Sequence, residues 1–357
     1  MDRFNLGAYG RTISTRSSET QRWFDIGLNW CYGFNHEEAI KCFKKALESD
    51  PECAMVHWGI AYAAGPFYNL TWKEHGDAEA NSATRRCFEH VQLALANAAH
   101  ASPVERRLIE ALAHRFQKPR RVTPQEFEDW DDAYAAEMRP VYVSFPDDHD
   151  VMALFVEALM MRTVRRLWDL KTGAPAPNSD VIEALQVCDR SIRLSDEAGI
   201  AQHPAILHLH IHLLEMSSTP ERGMRSADLL GTMCPDAGHM NHMPAHIYVL
   251  CGEYEKARLA SERADRANDL YRAYAERLYR DDLGLSGKVQ RCTQHPNNVW
   301  ALHGLVECLK RRGESEELPA LQARLATALA KADVPINSSC LCRTSAQSEQ
   351  SCCYPKS

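Results

Sequence analysis

A helical repeat near the amino terminus constrains the fold of this chain more than any other sequence feature. In TQRWFDIGLNWCYGFNHEEAIKCFKKALESDPEC, small, aromatic and proline residues recur at the spacing of a helical-hairpin repeat of about 34 residues. Gly27 and Ala39 allow two helices to approach closely, and Trp23 and Phe43 fill the space between successive hairpins. Pro51 follows the end of the second helix. The pattern predicts stacked antiparallel hairpins.

Weaker copies of the repeat follow at AMVHWGIAYAAG, HMPAHIYVLCGEYEKARLASERA and PNNVWALHGLVECLKRRG. Between them, residues 102–105 and 123–126 have the pattern of capping boxes with proline in the first helical turn. Residues 152–162 predict a buried helix, and no alternating strand pattern of useful length is present. The sequence therefore predicts an all-α solenoid of tetratricopeptide (TPR)-like antiparallel hairpins over residues 1–334.

The carboxyl-terminal segment is polar and has no apolar periodicity, which predicts a flexible tail over residues 335–357. Four of the thirteen cysteines lie in this tail: Cys340, Cys342, Cys352 and Cys353. Thiolates there could bind a soft metal, but no third ligand is spaced with them, and cysteines without a role are favoured. The other nine stand singly, which is typical of reduced thiols buried in helices.

Charge and motifs exclude several functions. The chain has 41 basic and 48 acidic residues and a net charge of −7, which argues against nucleic acid or an anionic membrane as the main partner. Without a long apolar run or a signal-peptide core, a cytoplasmic location is expected. Phosphate-binding loops, dinucleotide fingerprints, nucleophile elbows and kinase motifs are missing, so nucleotide-driven chemistry is not expected.

Two segments rich in histidine carry the functional signal. In HPAILHLHIHLLEMS, His208, His212 and Glu215 are spaced i, i+4 and i+7 and share one face of a helix, while His210 points elsewhere. Two imidazoles one helical turn apart can present two ligands to one metal, which Glu215 would complete or orient. The second segment, GHMNHMPAHIY, follows about 30 residues later, so the two should stack as neighbouring hairpins.

Pro244 of the second segment is expected in the first turn of a helix. Because the residue before proline is biased towards extended backbone, Met243 is predicted to be extended, with His239 and His242 in the preceding loop and His246 at the helix start. A loop and a helix start can direct several side chains to one point. The two segments together predict one shared site.

This site is predicted to hold a divalent transition metal, namely iron, copper or zinc. The predicted ligands are His208, His212, Glu215, His242 and His246, and His239 is the predicted catalytic proton shuttle. Iron or copper with an open position would support oxygen chemistry, whereas zinc would support hydrolysis. Two alternatives stay open: a metal-free site with His242 or His246 as general base, and a structural network of hydrogen bonds.

The chain resembles a group of microbial TPR-repeat proteins in GFNHEEAIKCFKKALESDPECAMVHWGIAYAAGPFYN, PDD, the WDL turn, HPAILHLHIHLLE and GHMNHMPAHIY with GEYEKA, over residues 20–70 and 140–310. The resemblance implies the solenoid fold. It also implies that the histidine and glutamate positions of the group correspond to His208, His212, Glu215, His239, His242 and His246, with His36 and His57 in the first repeats. Relatives of this type in filamentous microbes can belong to natural-product pathways.

These observations favour a metal-dependent enzyme of small-molecule metabolism, including secondary metabolism. An oxidoreductase is expected, with its small-molecule substrate in the concave groove. The alternative is a non-catalytic adaptor that binds a peptide or protein partner in the groove, as many TPR arrays do. A groove for a peptide carboxylate would be basic and lined by asparagine, whereas histidines and apolar residues are expected here.

Overall fold

The computed structural model describes residues 3–290 and 294–332, which are α-helical apart from connecting loops, three short 3₁₀ turns and two isolated β-bridges. The predicted all-α fold is confirmed. The helices are α1 (Ser18–Tyr32), α2 (His36–Leu47), α3 (Ala54–Ala64), α4 (Asp77–Ala96), α5 (Pro103–Arg115), α6 (Pro124–Ser144), α7 (His149–Met161), α8 (Val181–Ala198), α9 (Pro204–Leu214), α10 (Met224–Met233), α11 (Gly238–His242), α12 (Pro244–Leu250), α13 (Tyr254–Asp282), α14 (Val299–Arg312) and α15 (Leu318–Leu329).

Within the described residues, the helices divide into two compact units, one of residues 3–74 and 80–267 and one of residues 75–79, 268–290 and 294–332. In the larger unit, successive helices pack in pairs, and α9 contacts α1, α7, α8, α10 and α12. In the smaller unit, α14 packs against α15 around an apolar core. The predicted boundary at residue 334 and the tail cysteines lie outside the described residues.

The first hairpins are held together by one aromatic ring between two glycines. Phe43 of α2 is fully buried, and its ring lies where a Cβ atom on Gly27 of α1 or Gly59 of α3 would stand. A Cβ at Gly27 would be 2.6 Å from Cε1 of Phe43, and one at Gly59 would be 2.9 Å from its Cζ. The repeat therefore uses glycine to let the ring pack directly on both neighbouring helices, as its spacing predicts.

Gly27→Ala is expected to lower the free energy of unfolding by about 1–3 kcal/mol, because the added methyl overpacks the ring of Phe43. Urea unfolding followed by circular dichroism measures the change. Gly231→Ala in α10 is the matched control, since its Cβ would meet chiefly the mobile end of the Arg263 side chain. Alanine there should be neutral or stabilising through helix propensity. Equal losses in the two variants would contradict the role of Phe43.

The predicted helix starts agree with the structure at one position and differ at two. Ser102 and Glu105 form the reciprocal capping box at α5. At α6, Thr123 caps the helix, but Glu126 pairs with Lys118 instead of returning to the cap. Met243 is helical (φ −51°, ψ −39°), so its predicted extended conformation is wrong. Its side chain is completely buried, and this packing outweighs the local bias of a residue before proline.

Two further properties concern the described residues as a whole. Their eight cysteines are free thiols, and all but Cys251 are buried. Their isolated positions in the sequence predict this. No described helix combines the length and apolar character needed to span a bilayer.

Candidate metal centre

The helix α9 carries two imidazoles into the interior of the larger unit. It begins with His203 as cap and Pro204 in its first turn, and every residue from Pro204 to Leu214 is buried. The Nε2 atoms of His208 and His212 are 3.1 Å apart. His210 faces Ser226, as the helical spacing predicts, with Nδ1 2.8 Å from the hydroxyl oxygen. The predicted face of α9 is therefore present.

A third imidazole reaches this pair from α11. His239 lies within α11 rather than in the predicted loop, and its Nε2 is 3.0 Å from that of His208. Among the described residues, these three side chains make the only group of three or more histidine, cysteine, aspartate or glutamate ligand atoms within 4.8 Å of one another. We call them the three-histidine group. Two nitrogens bound to one ion at 2.0–2.1 Å stand roughly 3.0 to 3.4 Å apart. The two pairs that include Nε2 of His208 have separations in this range.

Hydrogen bonds fix which nitrogen of each α9 imidazole carries the proton. Nδ1 of His208 is 2.8 Å from the carbonyl oxygen of Tyr32, and Nδ1 of His212 is 2.8 Å from a carboxylate oxygen of Glu215. These oxygens only accept, so both Nδ1 atoms must donate. In the neutral rings both Nε2 atoms are then unprotonated and face each other. If His239 is neutral and carries its proton on Nε2, it can donate this proton to Nε2 of His208, but the contact between His208 and His212 then still lacks a proton. A shared cation would satisfy all three nitrogens.

The environment disfavours extra protons on these rings. Burial, followed by the neighbouring imidazoles, lowers the pKa of His208 and that of His239 well below the ordinary value. Burial alone would raise the pKa of Glu215. The charges of His212 and His246 and their hydrogen bonds to the carboxylate outweigh burial and hold this pKa well below its usual range. The centre therefore combines the neutral rings of His208 and His239 with the ionised carboxylate of Glu215 near neutral pH.

Glu215 and the remaining two histidines lie beside the three-histidine group. The oxygens of Glu215 contact Nδ1 of His212 and, at 2.6 Å, Nδ1 of His246, so the carboxylate orients two rings. The Nε2 atoms of His246 and His242 are 3.1 Å apart. Of the five predicted ligands, His208 and His212 fall in the three-histidine group and three lie next to it. The predicted roles of all six residues remain predictions.

The carbonyl that holds His208 belongs to a residue fixed by a buried ionic network. The hydroxyl of Tyr32 donates to Asp150, which also lies 2.7 Å from Nη1 of Arg11 and 3.1 Å from Nε2 of His203. Burial alone would raise the pKa of Asp150. The hydrogen bond from His203 and the positive charges of His203 and Arg11 outweigh burial and hold this pKa well below the ordinary value. Asp150 therefore stays ionised and anchors the end of α1.

Two aromatic side chains without a sequence signal lie against the three-histidine group. Phe34 has a left-handed backbone (φ 58°), which is rare outside glycine, and its ring stacks on His212 and His239 at 5.7 and 5.2 Å between centroids. The ring of Tyr68 is 4.8 Å from that of His212. Its buried hydroxyl has no hydrogen-bond partner among the described residues. An aromatic at a turn has no distinctive spacing, so no sequence signal marked either residue.

His36 and His57 are not part of the three-histidine group. His36 is buried at the start of α2, with Nδ1 3.1 Å from the carbonyl oxygen of Ala63. His57 of α3 lies between the carbonyl of Pro51 and Nδ1 of His90. Burial lowers the pKa of His36 to about 4.

Acid should therefore weaken the fold through His36. The unfolded chain binds a proton to this ring below about pH 6.5, whereas the folded chain binds it only below about 4, so stability falls as the pH drops between these values. From pH 7 to 4, the wild type should lose about 3 kcal/mol more than His36→Gln. Urea unfolding at several pH values measures this. The exposed His100→Gln should retain the wild-type slope, and an unchanged slope in His36→Gln would contradict the assignment.

Fold and site together define an all-α protein of paired helices with a three-histidine group in which His208 and His212 are buried and His239 is partly exposed. No family model matches the chain, and no curated protein sequence matches it. Among solved structures, it is similar to a human IFIT1 dimer with PPP-AAAA at 13% identity and a TM-score of 0.39, over 88% of this chain and 73% of the other. Naa15/Naa10 bound to HypK-THB matches at 13% identity and 0.24, over 87% and 65%. Likeness at this level does not extend to function.

Proposed function

We propose that this chain is a cytoplasmic, metal-dependent oxidoreductase of small-molecule metabolism and belongs to the microbial TPR-repeat group that its motifs resemble. One observation carries the proposal: the Nε2 atoms of His212 and His239 lie 3.1 and 3.0 Å from Nε2 of His208. Imidazole ligands suit iron, copper and zinc. When bound, such an ion supplies a Lewis acid or, for iron and copper, a redox centre.

Residues around the three-histidine group position its imidazoles and shield them from water. His239 lies at the same Nε2 distance as a ligand would, which favours a ligand role over the proton shuttle expected from the sequence. Glu215 contacts Nδ1 atoms, which favours orientation of the rings over direct binding. Phe34 excludes water from one side of the three-histidine group. The partnerless hydroxyl of Tyr68 is available to a polar atom of a substrate.

Metal analysis of tag-free protein tests the first part of this proposal. At least one equivalent of iron, copper or zinc per chain is expected, and a content well below one would contradict it. Oxygen chemistry also requires an open coordination position. Protein loaded anaerobically with Fe²⁺ should therefore bind nitric oxide and give the electron paramagnetic resonance signal of the adduct. An iron-loaded protein without this signal would have a closed, structural site and would not be an oxidoreductase of this kind.

A non-catalytic adaptor is the second candidate, because arrays of paired helices commonly bind peptides in a groove. His212→Ala and His246→Ala separate the two proposals. An adaptor should keep its partner and lose only stability in both variants, whereas an enzyme should lose turnover in both and, in His212→Ala, the metal of the three-histidine group. The metal content of His212→Ala decides between the proposals before any substrate is known.

A further inference from the structure

His242 and His246 form a second imidazole pair, which we call the edge pair. They are spaced i, i+4 along α11 and α12, which are joined through the helical Met243. Their Nε2 atoms are 3.1 Å apart, the same separation as between His208 and His212. Both rings are partly exposed, unlike the buried rings of α9. Glu215 contacts both His212 and His246, so the pair lies close to the three-histidine group.

Glu215 orients His246 of the edge pair in the same way as it orients His212 of α9. One of its oxygens accepts from Nδ1 of His212 and the other from Nδ1 of His246. Because a carboxylate only accepts, His246 carries a proton on Nδ1, which leaves Nε2, the nitrogen directed at His242, as the atom that can bind a metal. A carboxylate on the outer nitrogen of an imidazole is the usual support of a histidine that binds metal. A single carboxylate therefore orients one ring in each of two neighbouring clusters.

Another close pair of imidazoles in the chain lacks this support. Nδ1 of His57 is 3.0 Å from Nδ1 of His90, and Nε2 of His57 is held by the carbonyl of Pro51. Burial, the His57 ring and the positive charges of Arg86 and Lys44 lower the pKa of His90. These positive charges would also repel a metal cation. Close imidazoles alone therefore do not make a cation site, and the carboxylate distinguishes the edge pair.

We propose that His242 and His246 bind a second divalent transition-metal ion, next to the ion of the three-histidine group. Two imidazoles leave several positions for water or for oxygen atoms of a substrate, which the partial exposure of the pair allows. Two neighbouring ions would stabilise a substrate that carries adjacent oxygen atoms. The inference rests on the proposed metal centre, because Glu215 serves both ions. The second ion binds more weakly, since it has fewer protein ligands.

Titration of tag-free, metal-free protein with Co²⁺ tests this assignment, with visible absorption and bound metal both measured. All proteins carry serine in place of the four tail cysteines, which removes thiolate binding. The wild-type site should take up two Co²⁺ per chain in two steps. The double variant His242→Gln/His246→Gln should take up one, with the absorption of the first step unchanged. His90→Gln, which removes the other imidazole pair, should still take up two.

The possible failures are distinguishable. One Co²⁺ in the wild type that persists unchanged in the double variant would overturn the second ion and leave the three-histidine site standing. One Co²⁺ whose absorption changes in the double variant would place the edge pair on the same ion and also overturn the inference. No bound Co²⁺ would overturn both proposals. Glu215→Gln should weaken both steps by about 10- to 100-fold, and an effect on the first step alone would contradict a shared carboxylate.

Discussion

His208→Gln is expected to reduce the affinity of the three-histidine group for Zn²⁺ or Co²⁺ by at least about a hundredfold. Nε2 of His208 is the atom that lies within 3.1 Å of both other Nε2 atoms, so its loss leaves no triad. Competition with a chelator of known affinity measures the change. Removal of His212 or His239 should act in the same direction.

His210→Gln is the matched control for this experiment. His210 is a buried imidazole on the same helix, but it contacts the hydroxyl of Ser226 and lies 3.4 Å from Asp189. The control should lose stability yet keep its metal affinity within about threefold. Equal metal loss in both variants would indicate that disturbance of α9, rather than ligation by His208, caused the effect.

Asp150→Ala should lower the free energy of unfolding by about 3–5 kcal/mol. The change leaves the buried donors of Tyr32 and His203 and the half-buried hydroxyl of Tyr9 without their acceptor, and it removes one carboxylate from Arg11. Urea unfolding at neutral pH measures the loss. Metal affinity should fall as well, because Tyr32 no longer holds its carbonyl firmly.

An exposed ion pair and a change of pH provide the controls for Asp150. Asp196→Ala breaks the exposed pair with Arg225 and a hydrogen bond from Gln202, and it should change the free energy of unfolding far less than Asp150→Ala does. The pKa of Asp150 is depressed in the fold, so its contribution is present above about pH 4 and is lost as the pH falls below that value. The difference between wild type and Asp150→Ala should therefore narrow in strong acid. A constant difference would contradict the ionic role.

Helical periodicity predicted those parts of the site that lie on one element. The spacing of His208, His212 and Glu215 places them on one face of α9, and the structure has His208 next to His212 and His212 next to Glu215. The same rule separates His210. The close contact at Gly27 was equally predictable, because a repeat requires a small residue at fixed positions, whereas Gly59 was not singled out.

Contacts between distant segments could not be derived in this way. Sequence spacing does not show that His239 is nearer to His208 than His242 is, because this depends on how α11 packs against α9. The prediction for α11 also failed locally, since burial of Met243 overrides the preference of a residue before proline. The carbonyl of Tyr32 has no sequence signature at all.

The three-histidine group joins two helices whose ligands are about a hairpin apart, and its outer support comes from the first hairpin. An ion bound there, as proposed, would act as a reversible cross-link that exists only in the folded chain. At a free-ion concentration 100 times the dissociation constant, it would add about 2.7 kcal/mol to stability. Proteolytic turnover of the protein would then slow as metal supply rises, and a metal-starved cell would keep less of it.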